Sequence, residues 1–139
     1  MIYRIASEKD IPSLVVLMDH LGYVHTNDSL LHNLRKLEEY GGAVFVACLD
    51  GKVIGCVTAI MDVRFAGGAC GEIVSLVVLP SGRRQGIGKG LVSYAESWLK
   101  DKTDIIRVRA NVIRHEAHVF YKDLGYEEEK SQKVFKKNA

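Results

Sequence analysis

The sequence predicts a single α/β domain over residues 1–139, with helices on both faces of a mixed β-sheet. Two observations predict this class. In the second half of the chain, β-branched runs alternate with helical apolar stripes in the order strand, helix, strand, helix, strand. Before them, successive apolar runs joined by short turns predict an antiparallel meander. The complete expected order is β-α-α-β-β-β-α-β-α-β.

The first third of the chain predicts one short strand and two amphipathic helices. Alternating residues 2–6 form the strand, and the capping-box-like pair Ser7 and Asp10 begins the first helix. After a polar break, a second helix begins near Asn27 or Asp28. Apolar residues recur at helical spacing in the two helices: Ile11, Leu14, Val15, Met18 and Leu21, then Leu30, Leu31, Leu34 and Leu37.

The rest of the chain predicts four more strands, two helices and a final short strand. Asp50-Gly51 is typical of a two-residue hairpin between the first two of these strands. An apolar stripe predicts the third helix of the chain, and Gly125 caps the fourth. The expected elements are strands over 43–49, 53–63 and 70–79, a helix from Ile87 to residue 100, a strand over 105–112, a helix over 115–124 and a last strand at Val134-Phe135.

Composition excludes several classes of protein. The net charge of +2 is too small to indicate a nucleic acid or an anionic membrane as partner. No apolar run approaches the length of a membrane span, and residues 1–5 lack the layout of a signal peptide. Cys48, Cys56 and Cys70 form no Cys-x-x-Cys pair, so we expect reduced, mostly buried thiols in a cytoplasmic protein.

Residues 77–91 have the pattern of a strand, a loop and the start of a helix. Arg83, Arg84 and Lys89 add positive charge around the loop. Glycines at positions 86, 88 and 90 have no Cβ and let the backbone approach a ligand closely. The first amides of a helix have no intrahelical acceptor. The pattern therefore predicts an anion site suited to a phosphate.

Three nucleotide-binding patterns compete for this loop, beside a plain glycine-containing turn with solvated arginines. A Walker A loop needs Gly-Lys-Ser/Thr, but Gly90 follows Lys89. A dinucleotide fingerprint needs Gly-x-Gly-x-x-Gly and an acidic ribose partner, and this chain has neither. The third pattern, Arg83-x-x-Gly86-x-Gly88, resembles the Arg/Gln-x-x-Gly-x-Gly/Ala signature of the GNAT N-acetyltransferase superfamily.

Segments on both sides of the loop extend this resemblance over nearly the whole chain. Residues 72–78 are similar to the family's fourth strand. Residues 117–126 are similar to its Ala-x-x-x-Tyr-x-x-x-Gly-Phe/Tyr segment. The pattern Arg-x-x-Ala-His-x-Phe-Tyr over 114–121 also resembles small bacterial amine and aminoalkylphosphonate acetyltransferases. One departure is Arg114, where many members of the family have Asn.

The resemblance implies acetyl-coenzyme A as cosubstrate, no metal, and a splayed sheet whose fourth and fifth strands separate. It implies that loop amides hold the pyrophosphate and that backbone of the fourth strand pairs with the pantetheine arm. Asn111 is expected to take over some contacts of the missing Asn; the alternative is that Arg114 reaches the cofactor's phosphates instead. The expected cofactor-binding residues are Leu76, Val77, Val78, Arg83, Arg84, Gln85, Gly86, Ile87, Gly88, Lys89, Asn111, Arg114 and His118.

The resemblance also assigns two catalytic residues. Glu72 matches a frequent family glutamate that acts as general base, directly or through water; the alternative is a solvated residue at the start of a strand. Tyr121 matches the tyrosine that protonates the departing sulfur; the alternative is a core aromatic residue. The two interpretations of Tyr121 are compatible, because a tyrosine ring can pack while its hydroxyl stays available.

The implied function is transfer of an acetyl group to a primary amine, a small molecule being favoured, by direct attack in a ternary complex. The alternatives are a non-catalytic acyl-coenzyme A-binding regulatory module and an acetyltransferase for protein N-termini or lysines. Homodimers are common in the family, but no residue here requires one. His115 and His118 form half a metal site or, as we expect, a surface pair. Candidate specificity residues crowd the polar break: His20, Tyr23, His25, Asn27 and Asp28.

Overall fold

The computed structural model describes residues 1–110 and 112–139, which fall into two compact units, Met1–Arg107 and Val108–Ala139. Two short 3-10 turns, Glu8–Asp10 and Pro80–Gly82, precede the first and third helices. The regular elements in chain order are β1 (Ile2–Ile5), α1 (Ile11–His20), α2 (Asn27–Glu39), β2 (Ala43–Leu49), β3 (Lys52–Arg64), β4 (Gly68–Val78), α3 (Ile87–Lys100), β5 (Ile106–Val108) and α4 (His115–Asp123).

The strands form one five-stranded sheet in the order β1-β2-β3-β4-β5. The first four strands pair as antiparallel neighbours. Strands β4 and β5 are neighbours joined through α3, which is the connection of a parallel pair, so the sheet is mixed. The predicted fold class and the order of the first nine elements are therefore confirmed. Within the described ranges, none of the helices combines the length and apolar character needed to span a bilayer.

The predicted last strand is wrong. The described residues after α4 form no strand, and Val134 and Phe135 are 86% and 89% exposed. Successive side chains of a strand point to opposite faces, so two adjacent apolar residues among charged ones cannot bury a common face. Strand β5 is also shorter than expected: it ends at Val108, before exposed Arg109 and Ala110.

Helices cover both faces of the sheet in the first unit. On one face, α1 and α2 contribute Leu14, Leu17 and Leu34 to a buried cluster with β2, β3 and β4. On the opposite face, α3 lies so close to β3 that a Cβ at Gly55 would lie 3.1 Å from Cδ1 of Leu91. The apolar stripes predicted for the three helices are thus the faces that the sheet buries.

All three cysteines are buried and free, as the sequence predicts. Cys56 lies in the cluster under α1 and α2, and its burial raises the pKa of its thiol to about 12. The thiol therefore stays protonated at neutral pH and behaves as a small apolar side chain.

A bulge in β4 changes the side-chain alternation just before the loop. The pairing between β3 and β4 passes from Thr58–Val74 to Cys56–Val77, so two residues of β4 face one residue of β3. Ser75 supplies the extra residue, and its φ of 56° lies in the left-handed region. Because Thr58 and Cys56 share one face of β3, Val74 and Val77 also share a face, although they are three positions apart.

An ion pair fixes the entry to α1. The Asp10 carboxylate accepts hydrogen bonds from Nη1 and Nη2 of Arg4 at 2.7 and 2.9 Å, and from the Ser7 backbone N–H at 2.8 Å. Asp10 is only 6% exposed. The hydrogen-bonded Arg4 guanidinium holds the pKa of Asp10 below its usual range, against the opposing effect of burial. The contact with Ser7 confirms the predicted helix start.

We expect the substitution Asp10→Asn to lower the free energy of unfolding at neutral pH by about 1–3 kcal/mol, because charged hydrogen bonds are lost at a buried site. The depressed pKa means that ionised Asp10 stabilises the fold above about pH 4, its unfolded pKa, and that this contribution is lost as the pH falls through the folded pKa. Urea unfolding at several pH values should show the difference between wild type and variant shrinking below about pH 4. Exposed Asp50→Asn is the control, and an equal loss in both variants would contradict the prediction.

Candidate active site

The loop between β4 and α3 is held by backbone conformations that favour glycine. Gly86 is the N-cap of α3 with φ of 76°, and Arg84 adopts φ of 64° although it is not a glycine. A Cβ at buried Gly82 would meet side-chain atoms of Ile87 at 3.1 Å and Ile54 at 3.2 Å. The loop therefore packs against the protein core at Gly82, and its backbone turns sharply at the exposed residues Arg84 and Gly86.

Two exposed polar side chains form hydrogen bonds within this loop. Arg83 Nε donates to the carbonyl of Val78 at 3.4 Å, and Gln85 Nε2 donates to the carbonyl of Ser81 at 3.1 Å. Both bonds close the loop on residues that precede it. Both acceptors are carbonyl oxygens, so these two side chains do not use the backbone N–H groups of the loop or of the first helical turn.

The N-terminus of α3 has the properties of an anion site. The first hydrogen bond along the helix runs from Gly90 N to Gly86 O at 2.9 Å, so the amides of Ile87, Gly88 and Lys89 precede it. No side chain caps this end of α3, and its first turn contains no acidic residue. The helix dipole and the exposed cationic side chains favour an anion here: Arg83, Arg84 and Lys89.

Gly90 has a different role from the one predicted for it. A Cβ at this position would clash with the hydroxyl of Tyr3, whose ring lies over the helix. Tyr3 also stacks on Tyr94 of α3, with ring centroids 6.4 Å apart. The missing Cβ of Gly90 therefore makes room for β1, and not for a ligand.

The second half of β4 extends past its neighbour β5. Gly71 N donates to Ile105 O at 2.9 Å, so β5 starts beside the first half of β4, and it is only 3 residues long. At about 3.3 Å per residue, three residues do not reach the end of β4. The end of β4 includes three of the predicted cofactor-binding residues: Leu76, Val77 and Val78.

Glu72 lies in the middle of β4 and is 5% exposed, so the alternative of a solvated residue at a strand start is wrong. Its Oε1 accepts a hydrogen bond from Arg107 Nη1 at 3.3 Å, and the same nitrogen donates to Asp62 Oδ2 at 3.2 Å. The hydrogen bond with Glu72 is the main cause that raises the pKa of Arg107 above its usual range. The arginine therefore stays charged beside the two carboxylates.

In the second unit, α4 carries the motif tyrosine. Tyr121 packs edge-on against Phe120 and Tyr126, with ring centroids 5.2 and 5.9 Å apart. Burial raises the pKa of Tyr121, while the positive charge of Arg114 acts in the opposite direction. The phenol is therefore protonated at neutral pH and is able to donate a proton.

The other predicted residues of this unit lie at the start of α4. Arg114 is the exposed N-cap residue, and half-buried His118 meets His115 edge-on at 5.6 Å between ring centroids. Asn111 lies outside the described residues. Over residues 1–110 and 112–139, no three His, Cys, Asp or Glu side chains form a cluster that could hold a metal ion.

The polar break between α1 and α2 is a capped helix start. Thr26 and Ser29 form a reciprocal capping box, with Ser29 N donating to Thr26 Oγ1 at 3.1 Å and Thr26 N donating to Ser29 Oγ at 3.0 Å. His25 Nδ1 lies 3.0 Å from Ser29 Oγ. This confirms the predicted start of α2 at Asn27. His20 and Tyr23 are exposed beside it.

Comparison with known proteins identifies the family. The model of the Acetyltransferase (GNAT) family matches residues 12–126, which include β4, the loop, α3 and α4. This chain belongs to the GNAT family.

Two curated relatives of this GNAT chain match part of its length. The aminoalkylphosphonate N-acetyltransferase of Salmonella typhimurium is 33% identical over 85 residues, which is 60% of this chain and 55% of that protein. The N-alpha-acetyltransferase of Sulfurisphaera tokodaii is 31% identical over 103 residues, or 68% of this chain and 62% of that protein. The matched part thus covers less than two thirds of either relative.

Solved structures agree with the fold over the whole chain. AAC(6')-Iy, in complex with the bisubstrate analog CoA-S-monomethyl-acetylneamine, has a TM-score of 0.87 at 21% identity. The match covers 99% of this chain and 98% of that one. At this identity the likeness establishes the GNAT fold.

Two residues near Glu72 were missed in the sequence: Asp62 and Arg107. Each is a charged residue inside a predicted strand, where an apolar residue is usual, and that is the one signal the sequence offers. Their meeting depends on the register of three strands, which the sequence pattern does not fix.

We expect Gly86→Ala to lower the free energy of unfolding of this GNAT chain by about 1–2 kcal/mol, because Cβ is unfavourable in the left-handed region. No atom lies within 4 Å of the added Cβ, so the cost is one of backbone conformation alone. Gly67→Ala is the matched control, because its Cβ also meets nothing within 4 Å and its φ is outside the left-handed region. Equal thermal unfolding temperatures for the two variants would contradict a left-handed backbone requirement at Gly86.

Proposed function

We propose that this chain is an acetyl-coenzyme A-dependent N-acetyltransferase for a primary amine and works as one domain over residues 1–139. The observation that carries the proposal is the uncapped, cationic start of α3, which follows the strand that holds the buried Glu72 carboxylate. The first feature suits a pyrophosphate, and the second suits the removal of a proton. Membership of the GNAT family supports the reaction class.

The cofactor is assigned to the loop and the end of β4. Backbone amides from Arg84 to Lys89 would bind the pyrophosphate, and backbone groups of Leu76 to Val78 would pair with the pantetheine arm as an added strand does. The extension of β4 past β5 supports this pairing. AAC(6')-Iy, a relative in fold, was solved with a coenzyme A analog, which supports coenzyme A as ligand. Arg114, His118 and Asn111 are assigned to the cofactor by the family motif alone.

In the proposed reaction, the amine nitrogen attacks the carbonyl carbon of the thioester, and the C–S bond breaks as the C–N bond forms. Glu72 accepts, directly or through water, the proton that the ammonium loses before attack, and Tyr121 protonates the departing sulfur. The nitrogen loses a second proton as the amide forms, and this proton balances the one that Tyr121 donates. Alkylamines are mostly protonated at neutral pH, since their reference pKa is about 10.4. A backbone N–H directed at the thioester oxygen would stabilise the transition state by about 3 kcal/mol.

The proposed acceptor is a small primary amine. The Salmonella typhimurium relative is named for an aminoalkylphosphonate acceptor, which supports this class. The Sulfurisphaera tokodaii relative is named an N-alpha-acetyltransferase, so a peptide N-terminus is the competing acceptor. We also assign the protein to the cytoplasm, because three buried free thiols suit a reducing compartment.

The decisive experiment is a free-thiol release assay with acetyl-coenzyme A and a panel of polyamines, amino acids, aminoalkylphosphonates, aminoglycosides and short peptides. We expect turnover on one small-amine class, reduced at least about tenfold by Glu72→Gln and by Tyr121→Phe. Exposed Glu38→Gln and Tyr40→Phe are matched controls that should keep wild-type rates.

Other results would each identify a different error. Turnover on peptides alone would show that the acceptor is a peptide N-terminus and not a small amine. Binding of acetyl-coenzyme A without any turnover would favour a regulatory binding module. Absence of cofactor binding would contradict the assignment of the loop.

The protonation state of Tyr121 can be measured separately from turnover. Because burial raises the pKa of Tyr121, we expect its phenol to remain protonated beyond about pH 10, the ordinary value for tyrosine. The difference in phenolate absorbance between wild type and Tyr121→Phe during a pH titration isolates this group, and Tyr40→Phe serves as control for the subtraction. A phenolate that forms below about pH 10 would contradict the effect of burial on the pKa of Tyr121.

A further inference from the structure

Charged side chains from three neighbouring strands meet at one nitrogen atom. Nη1 of Arg107 on β5 lies 3.2 Å from Asp62 Oδ2 on β3 and 3.3 Å from Glu72 Oε1 on β4. The three side chains are 27%, 22% and 7% exposed, in the order Arg107, Asp62, Glu72. The guanidinium is thus shared between a half-buried carboxylate and a buried one.

Strand register explains this meeting. Glu72 pairs with Ile60 and Asp62 pairs with Cys70 in the β3–β4 ladder, so Asp62 and Glu72 are diagonal neighbours on one face. That face is the one opposite α3, because a Cβ at Gly71 would meet Leu99 of α3. Charged residues placed here lie beside β5, from which Arg107 reaches both.

We propose that Arg107 is a positioning residue for Glu72, and that Asp62 limits its effect by competing for the same guanidinium nitrogen. This inference rests on the proposed function, in which Glu72 accepts the proton of the amine. The hydrogen bond holds Oε1 of Glu72 toward the Arg107 guanidinium. The positive charge of Arg107 thus lies against the carboxylate that accepts the proton in the proposed function.

Titratable side chains from three strands flank Glu72 on this face. They include Asp62 from β3, Cys70 from β4 and Arg107 from β5. Arg64 contacts Asp62 at 2.8 Å but is 61% exposed, so solvent and salt screen its charge. The side chains that α1 and α2 pack into the core are apolar, among them Leu14, Leu17, Met18, Leu30, Leu31 and Leu34.

The test measures how kcat depends on pH in the wild type and in three variants. One amine is used at saturating concentration for all of them, so that the ionisation of the amine is the same in each comparison. Arg107→Gln removes a positive charge, so Glu72 should be protonated more readily. The pH of half-maximal kcat on the acid side should then rise above the wild-type value. Asp62→Asn removes a negative charge and should lower that pH. Arg107→Lys keeps the charge and should leave that pH near the wild-type value.

A second readout separates this role from damage to the fold. We expect Arg107→Gln to lower kcat while the KM for acetyl-coenzyme A stays within about twofold, because Arg107 does not belong to the loop residues assigned to the cofactor. In a Glu72→Gln background, Asp62→Asn should no longer move the acid-side half-maximal pH. Asp50→Asn, an exposed turn residue, is the matched control for loss of a carboxylate and should leave it unchanged.

The outcomes distinguish the two proposals. If Glu72→Gln keeps wild-type turnover, the base assignment in the proposed function fails. If Glu72→Gln is impaired but Arg107→Gln and Asp62→Asn shift the pH profile in the same direction, or not at all, the positioning role is overturned. Should Arg107→Gln not fold, Asp62→Asn in the wild-type and Glu72→Gln backgrounds still decides, because it removes a charge with little change in volume.

Discussion

The pairing of β3 with β4 is the constraint on which the rest of this fold depends. It runs from Arg64–Gly68 at the hairpin to Gly55–Val78 beside the loop, with the bulge at Ser75 between. Its register places Asp62 diagonally beside Glu72 in the half of the ladder nearer the hairpin. At the other end, the bulge turns the strand as it enters the loop that begins α3. The Glu72 carboxylate and the proposed anion site are thus held at a fixed separation along one strand.

The two ends of β4 differ in their electrostatic design. At the loop, backbone amides and solvated cations attract an anion, and this attraction is screened by salt. Around Glu72, charges are largely removed from water, so each must be paired, and the shared Arg107 provides the pairing for two acids. The first end suits binding, and the second suits fine control of a proton.

Most of the fold could be predicted from the sequence because its signals are local. The cap at Ser7 and Asp10, the turn at Asp50-Gly51 and the glycine at position 86 act within a few residues, and each stands where the pattern indicates. Features that depend on distant parts of the chain could not be predicted. The junction of Arg107 with its two acids needs the register of three strands, and the absent last strand shows that two apolar residues do not suffice for one.

The contact between Tyr3 and Gly90 has a consequence for how this sequence can vary. A ring from the first strand occupies the space that any side chain at position 90 would need. Alanine there would require the tyrosine ring to move or to be lost, and either change would disturb the stack on Tyr94. The two positions, distant in sequence, are therefore expected to change together among descendants of this chain.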